Sequence, residues 1–88
     1  MIQIRRHPFK KCFKFLETKI AVGSIIYSAA FENGVINVYS RENTDIEEME
    51  TRKFIIINSG EIYKEDTLIY INSVTTFEEV VHVFEQIT

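Results

Sequence analysis

Eighty-eight residues, 45% of them hydrophobic, with one cysteine and a net charge of −3, leave room for one domain built on one core. They exclude an intramolecular disulfide, and the longest apolar run, Phe54-Ile55-Ile56-Ile57, is far too short to cross a bilayer as a helix. The lone Cys12 fits a reducing compartment, and residues 1–20 lack the unbroken apolar stretch of a secretory leader, so a soluble, cytoplasmic chain without membrane partners is expected. A domain this small is marginal on core burial alone, and a homo-oligomer would help it.

Ile2 and Ile4 open a strand, with Gln3 and Arg5 facing the other way; Pro8, lacking an N–H, predicts a break or an edge position. Residues 9–16 alternate again, with Phe9, Phe13 and Phe15 on one face, and Val22-Gly23 reads as a turn. Asn33-Gly34 is the clearest local signal, because this dipeptide suits the positive φ angles of a two-residue type I′ hairpin turn. The register it implies sets Glu32 against Val35, Phe31 against Ile36, Ala29 against Val38 and Tyr27 against Ser40. Ile25, Tyr27, Ala29, Phe31, Ile36 and Val38 then share one face, as a half-buried antiparallel pair requires.

Residues 41–51 are polar and acidic and read as a mobile loop. Residues 52–58 form a buried strand stopped by Ser59-Gly60, and residues 67–74 form another. At the C-terminus, Thr76-Phe-Glu-Glu79 has the form of a helix-capping box, followed by apolar residues at helical spacing. The same segment, with Val-Val-His-Val-Phe at 80–84, is rich in strand formers.

Charge is unevenly placed. Residues 1–19 hold six basic residues and one acidic one, whereas residues 20–88 hold four basic and twelve acidic. Arg5, Arg6, Lys10, Lys11 and Lys14 are interleaved with aromatic rings, a composition that can bind a polyanion, dock on the chain's own acidic surface or that of a sister subunit, or meet a protein partner. Asp45, Glu47, Glu48 and Glu50 form a candidate acidic recognition loop, without the ligand spacing or central glycine of a calcium loop. His7, His82 and Cys12 are the only soft metal-ligand types, and they lack the close pairing of a structural zinc site. Cys12 with either histidine is a formal nucleophile and base, but no nucleophile motif surrounds it. No glycine-rich phosphate loop is present. The expectation is a chain without catalytic residues, metal or cofactor.

Several segments together carry a resemblance: His7-Pro8-Phe9, Ile20-Ala21-Val22-Gly23-Ser24-Ile25-Ile26, Phe31-Glu32-Asn33-Gly34, Arg52-Lys53-Phe54-Ile55-Ile56, Ser59-Gly60, Tyr70-Ile71-Asn72-Ser73 and Val81-His82-Val83-Phe84-Glu85. The chain resembles a group of small bacteriophage proteins of uncharacterised function that end in a Val-x-His-Val-Phe strand. It departs from them where Val22 replaces a proline, Asn72-Ser73 replaces Gly-Thr, and Val38-Tyr39 stands in place of a tryptophan. The resemblance implies a phage origin, an all-β fold and a final strand in place of a helix.

The expected fold is therefore all-β, a small antiparallel sandwich or partly open barrel of six to seven short strands, with an α+β fold carrying a C-terminal helix as the alternative. The expected function is that of a phage accessory protein binding stoichiometrically to a host protein, such as a defence or nucleic-acid-processing factor. A binder that sequesters a nucleotide signal and a nucleic-acid-binding module are the alternatives.

Overall fold

The computed structural model describes residues 1–11 and 13–87. Seven strands follow one another: β1 (Ile2–Pro8), β2 (Phe15–Ala21), β3 (Ile25–Glu32), β4 (Val35–Asn43), β5 (Met49–Asn58), β6 (Leu68–Thr75) and β7 (Val80–Gln86). They form two antiparallel sheets, β1-β4-β3 and β2-β5-β7-β6, packed face to face as a sandwich. Phe9, Ala29, Ile36 and Val38 from the first sheet meet Phe54, Ile56, Val74, Val81 and Val83 from the second. Phe54 and Val38 are fully buried, and each such side chain contributes roughly 1.5–3 kcal/mol.

The Asn33-Gly34 turn forms as its sequence predicts, with φ of 54° and 80° at the two positions. The register holds from Glu32–Val35 to Ser28–Tyr39 and then shifts: a β-bulge at Tyr27 places Ile26, not Tyr27, opposite Ser40. One extra residue inverts the alternation beyond it. Ile26 consequently packs against the core, while Tyr27 and Ile25 are half exposed.

Two other expectations need correction, and the C-terminal alternative is decided. The polar stretch 41–51 is mostly strand: Arg41–Asn43 complete β4 and Met49–Thr51 begin β5, leaving only residues 44–48 as a loop. Polar residues enter these strands because Glu42 is buried among hydrogen-bonding partners. Of the three phenylalanines of residues 9–16 only Phe9 is in the core; Phe13 and Phe15 are 60% and 46% exposed, because β2 starts at Phe15 and the chain turns before it. The C-terminus is β7, so the helical alternative fails. The capping-box residues form a turn instead, in which the Thr76 N–H donates to Glu79 O at 2.9 Å. The helical spacing misleads because β7 is apolar on both faces: Val81 and Val83 enter the core, and Phe84 is buried on the outer side.

Two polar networks occupy the interior. Glu42 Oε2 accepts from Ser40 Oγ at 2.7 Å and lies 3.2 Å from His7 Nε2, while Oε1 accepts from Ala21 N–H at 3.3 Å. Burial pushes the His7 imidazole below its ordinary pKa, against the pull of Glu42. Burial would raise Glu42, but Ser40, the Ala21 N–H, Arg5 and His7 together hold its carboxyl below the usual range. In the second network Arg52 grips Glu85 through Nε and Nη2, the latter at 2.8 Å, and donates from Nη1 to Ser24 O at 3.1 Å.

Candidate functional site

The outer face of a sandwich sheet is normally polar, and here part of it is not. Antiparallel register sets Phe15 beside Ile55, Ile55 beside Phe84, and Phe84 beside Tyr70 across the four strands of the second sheet. Residues 59–67, ending in a 3-10 turn over Glu65–Thr67, arch over this face. The Tyr63 ring rests on Phe84 at 5.0 Å between centroids, and Tyr70 meets the same ring edge-on at 5.4 Å. Two adjoining cavities open here, of about 550 and about 510 Å³, sharing Ile57, Glu61, Tyr63 and Leu68 in their walls. Ile62, at the crest of the arch, is fully exposed.

A hydrogen-bonded relay lines the larger cavity. His82 Nδ1 lies 2.7 Å from Ser73 Oγ, which lies 2.8 Å from the Tyr70 hydroxyl; His82 Nε2 lies 2.9 Å from Ser59 Oγ. Ser59 Oγ also donates to Val80 O at 3.3 Å. The assignment that satisfies Val80 O runs one way: Tyr70 to Ser73, Ser73 to His82 Nδ1, His82 Nε2–H to Ser59, Ser59 to Val80. In it Ser59 accepts from the imidazole, the reverse of nucleophile activation, and among the described residues no carboxylate backs the histidine. The relay fixes the rim of the cleft and presents hydroxyls to an occupant. The partners of His82 are thus Ser73 of β6 and Ser59 of the turn after β5.

The basic residues singled out in the sequence do not form one surface. Lys10, Lys11 and Lys14 border a smaller cleft of about 230 Å³ together with Phe9, Phe13 and Phe31. Lys14 is committed to Glu61 at 2.8 Å, which also holds the Glu61 carboxyl below the usual range. Arg5 turns to the inner side, 3.6 Å from Glu42. Arg6 projects from the opposite face of β1, beside Tyr39 of β4.

The acidic residues lie at the other end of the sandwich from the lysines. Asp45 holds the N-terminal ammonium at 2.7 Å. Glu47 and Glu48 are exposed in the loop, and the Glu48 carbonyl accepts from Val22 N–H. Glu50 belongs to β5, where its carboxylate accepts from Gly23 N–H at 3.1 Å and lies 3.6 Å from Arg52.

His7 and His82 sit in different sheets, the one facing inward and the other outward. Among the described residues no three His, Cys, Asp or Glu side chains converge as metal ligands. Cys12, considered above as ligand and nucleophile, lies outside the described residues. Among the described residues no helix is long and apolar enough to cross a membrane. Ser59, Tyr70, Ser73 and Phe84 lie in segments that carry the resemblance, but neither they nor Tyr63 stand out from the sequence as site residues. The adjacency of Ile57 to Ser59-Gly60 and the two-sided apolarity of Val80–Phe84 were the signals that pointed to them.

Fold and cleft together define a small seven-stranded antiparallel sandwich whose second sheet carries an aromatic cleft on its outer face. The chain belongs to the family described as domain of unknown function DUF7352, whose model matches residues 1–88. No curated protein matches the chain, and no solved structure does.

Proposed function

We propose that this chain acts by stoichiometric binding to a protein, with the aromatic cleft over β5, β7 and β6 as the contact surface. The carrying observation is the contiguous apolar row Phe15, Ile55, Phe84, Tyr70 on an outer sheet face, roofed by Tyr63 and opening into two adjoining cavities. Exposed apolar patches of this kind mark interaction sites, and aromatic side chains dominate their binding energy. Glu65 borders the larger cavity beside a Glu61 already paired with Lys14, so the fitting segment presents an apolar or aromatic anchor flanked by a basic residue. The phage resemblance makes a host protein, such as a defence or nucleic-acid-processing factor, the expected partner. The test is affinity capture from host cells with the wild type, Tyr63→Ala and Arg6→Glu. A host protein retained by the wild type and Arg6→Glu but lost by Tyr63→Ala is expected; equal capture by all three would sink the reading.

The lysine-bordered cleft favours a second reading, in which a nucleotide or single strand places phosphate near Lys10 and Lys11 and a base against Phe13. That reading requires binding that weakens steeply with salt and disappears when Lys10 and Lys11 are both changed to Glu.

A further inference from the structure

β1 ends its sheet, pairing only with β4 in the ladder. The backbone bonds bracketing the ladder, Thr44 N–H to Met1 O at 2.8 Å and Phe9 N–H to Ile36 O at 2.9 Å, fix its parity. Odd-numbered residues of β1 direct their N–H and C=O toward β4, and Ile2, Ile4 and Arg6 direct theirs to the open side. Pro8 falls on the even set, so its missing N–H also faces the open side and costs the ladder nothing.

The other edge strands each carry a local guard. β3 and β6 are joined through the Asn72 side chain, which bonds both backbone groups of Ala29. On β2 the outward side chains include Glu17 and Lys19, and the last outward N–H, that of Ala21, is taken by Glu42. On β1, by contrast, the outward side chains at Ile2 and Ile4 are apolar and 51% and 62% exposed.

We propose that a second copy of this chain covers that edge: β1 pairs antiparallel with β1 of the partner about a twofold axis at Ile4. Ile4 then opposes Ile4, and Ile2 opposes Arg6 on each side of the axis. This register uses every outward N–H and C=O of Ile2, Ile4 and Arg6 and leaves Pro8 beyond the partner's first strand residue. It fuses two three-stranded sheets into one of six. The charge layout matches the same symmetry. Each copy carries Lys10 and Lys11 past the C-terminal end of β1 and Asp45, Glu47 and Glu48 beside its N-terminal end, so antiparallel pairing sets the basic turn of one copy near the acidic loop of the other.

Sedimentation equilibrium tests the proposal. The wild type is expected to reach twice its 10.3 kDa with rising concentration, and Ile4→Pro, which removes an outward N–H and the Ile4 side chain but no bond to β4, is expected to stay at the monomer mass with an unchanged circular dichroism spectrum. Ile4→Cys in a Cys12→Ser background should oxidise to a disulfide-linked dimer, since directly opposed hydrogen-bonded residues lie about 5.5 Å apart at Cα, within disulfide reach. A wild type that remains monomeric up to about 1 mM, the weak end of measurable affinity, overturns the proposal. So does a dimer that survives Ile4→Pro. Should Ile4→Pro fail to fold, the cysteine variant decides: failure of Ile4→Cys to cross-link overturns the proposal.

Discussion

The Asn72 side chain behaves as a one-residue strand for Ala29: its Oδ1 accepts from the Ala29 N–H at 2.7 Å and its Nδ2 donates to the Ala29 carbonyl at 2.9 Å. A bulge at Ile71 opposes Asn72 to the inward-facing Val83 and lets it reach the facing sheet. Asn72→Ala leaves both Ala29 groups, on a buried residue, without that partner. Each loss costs about 1–3 kcal/mol, so a fall in melting temperature of roughly 4–8 °C per kcal/mol is expected. Asn72→Asp keeps the acceptor and loses the donor, and calorimetry should place it between the wild type and Asn72→Ala.

How much of this was legible depends on the range of the interaction. The Asn33-Gly34 turn and the first half of its register are local consequences of positive φ and alternation, and they were readable. The Tyr27 bulge was not, because neither alternation nor turn chemistry marks it; it falls two residues from the point where Asn72 clasps Ala29. Glu42 reads as loop because an acidic residue in a polar run ordinarily is; only the arrival of His7 from β1 and Ala21 from β2, beside Ser40 of its own strand, makes its burial possible. The cleft is the least legible feature. Its walls come from β5, β6, β7 and the arch, and Tyr63 gains meaning only by resting on Phe84.

Arg52 and Glu85 carry a second prediction. Glu85 is buried, and its two oxygens are occupied by the guanidinium. Arg52→Met strands a buried carboxylate, a change that costs about 3–5 kcal/mol. The double variant Arg52→Met with Glu85→Leu removes both charges and should recover most of that loss in urea unfolding. A double variant as unstable as the single one would show that the Arg52 bond to the Ser24 carbonyl, not the ion pair, holds this end of the sandwich.

Acid should destabilise the fold in two stages. His7 has its folded pKa depressed below the ordinary 6.5, so the unfolded chain takes up that proton first, and stability falls as pH drops below about 6.5. Glu42 has its pKa depressed below the ordinary 4.5, so its contribution is complete above that value and is lost as pH falls through the folded value. Urea midpoints measured from pH 8 to pH 3 should decline in both windows. His7→Gln should flatten the upper window and leave the lower one, whereas Glu42→Gln should be unstable even at pH 8 because it gives up the charge that Arg5 and the Ser40 hydroxyl address.

The cleft yields the prediction that bears on function, and two aromatic residues in contact make it specific. Phe84 is 5% exposed and Tyr63, resting on it at a tilt of 50°, 44%. Phe84→Ala hollows the sheet and costs about 3–5 kcal/mol, so any loss of binding it causes is confounded with unfolding. Tyr63→Ala removes a ring held from one side only and should lower the melting temperature little. If the cleft is the contact surface, that ring becomes buried under the partner. Its truncation should then weaken the captured complex at least tenfold in calorimetry, about the 1.4 kcal/mol that one decade represents. Tyr63→Phe should keep most of the affinity if stacking is what the partner uses, and should lose it if the hydroxyl is. Lys10→Glu with Lys11→Glu, outside the cleft, should alter the association rate and its salt dependence without an equal change in dissociation. A partner that tolerates Tyr63→Ala but is lost with the lysines would move the contact surface to the basic cleft.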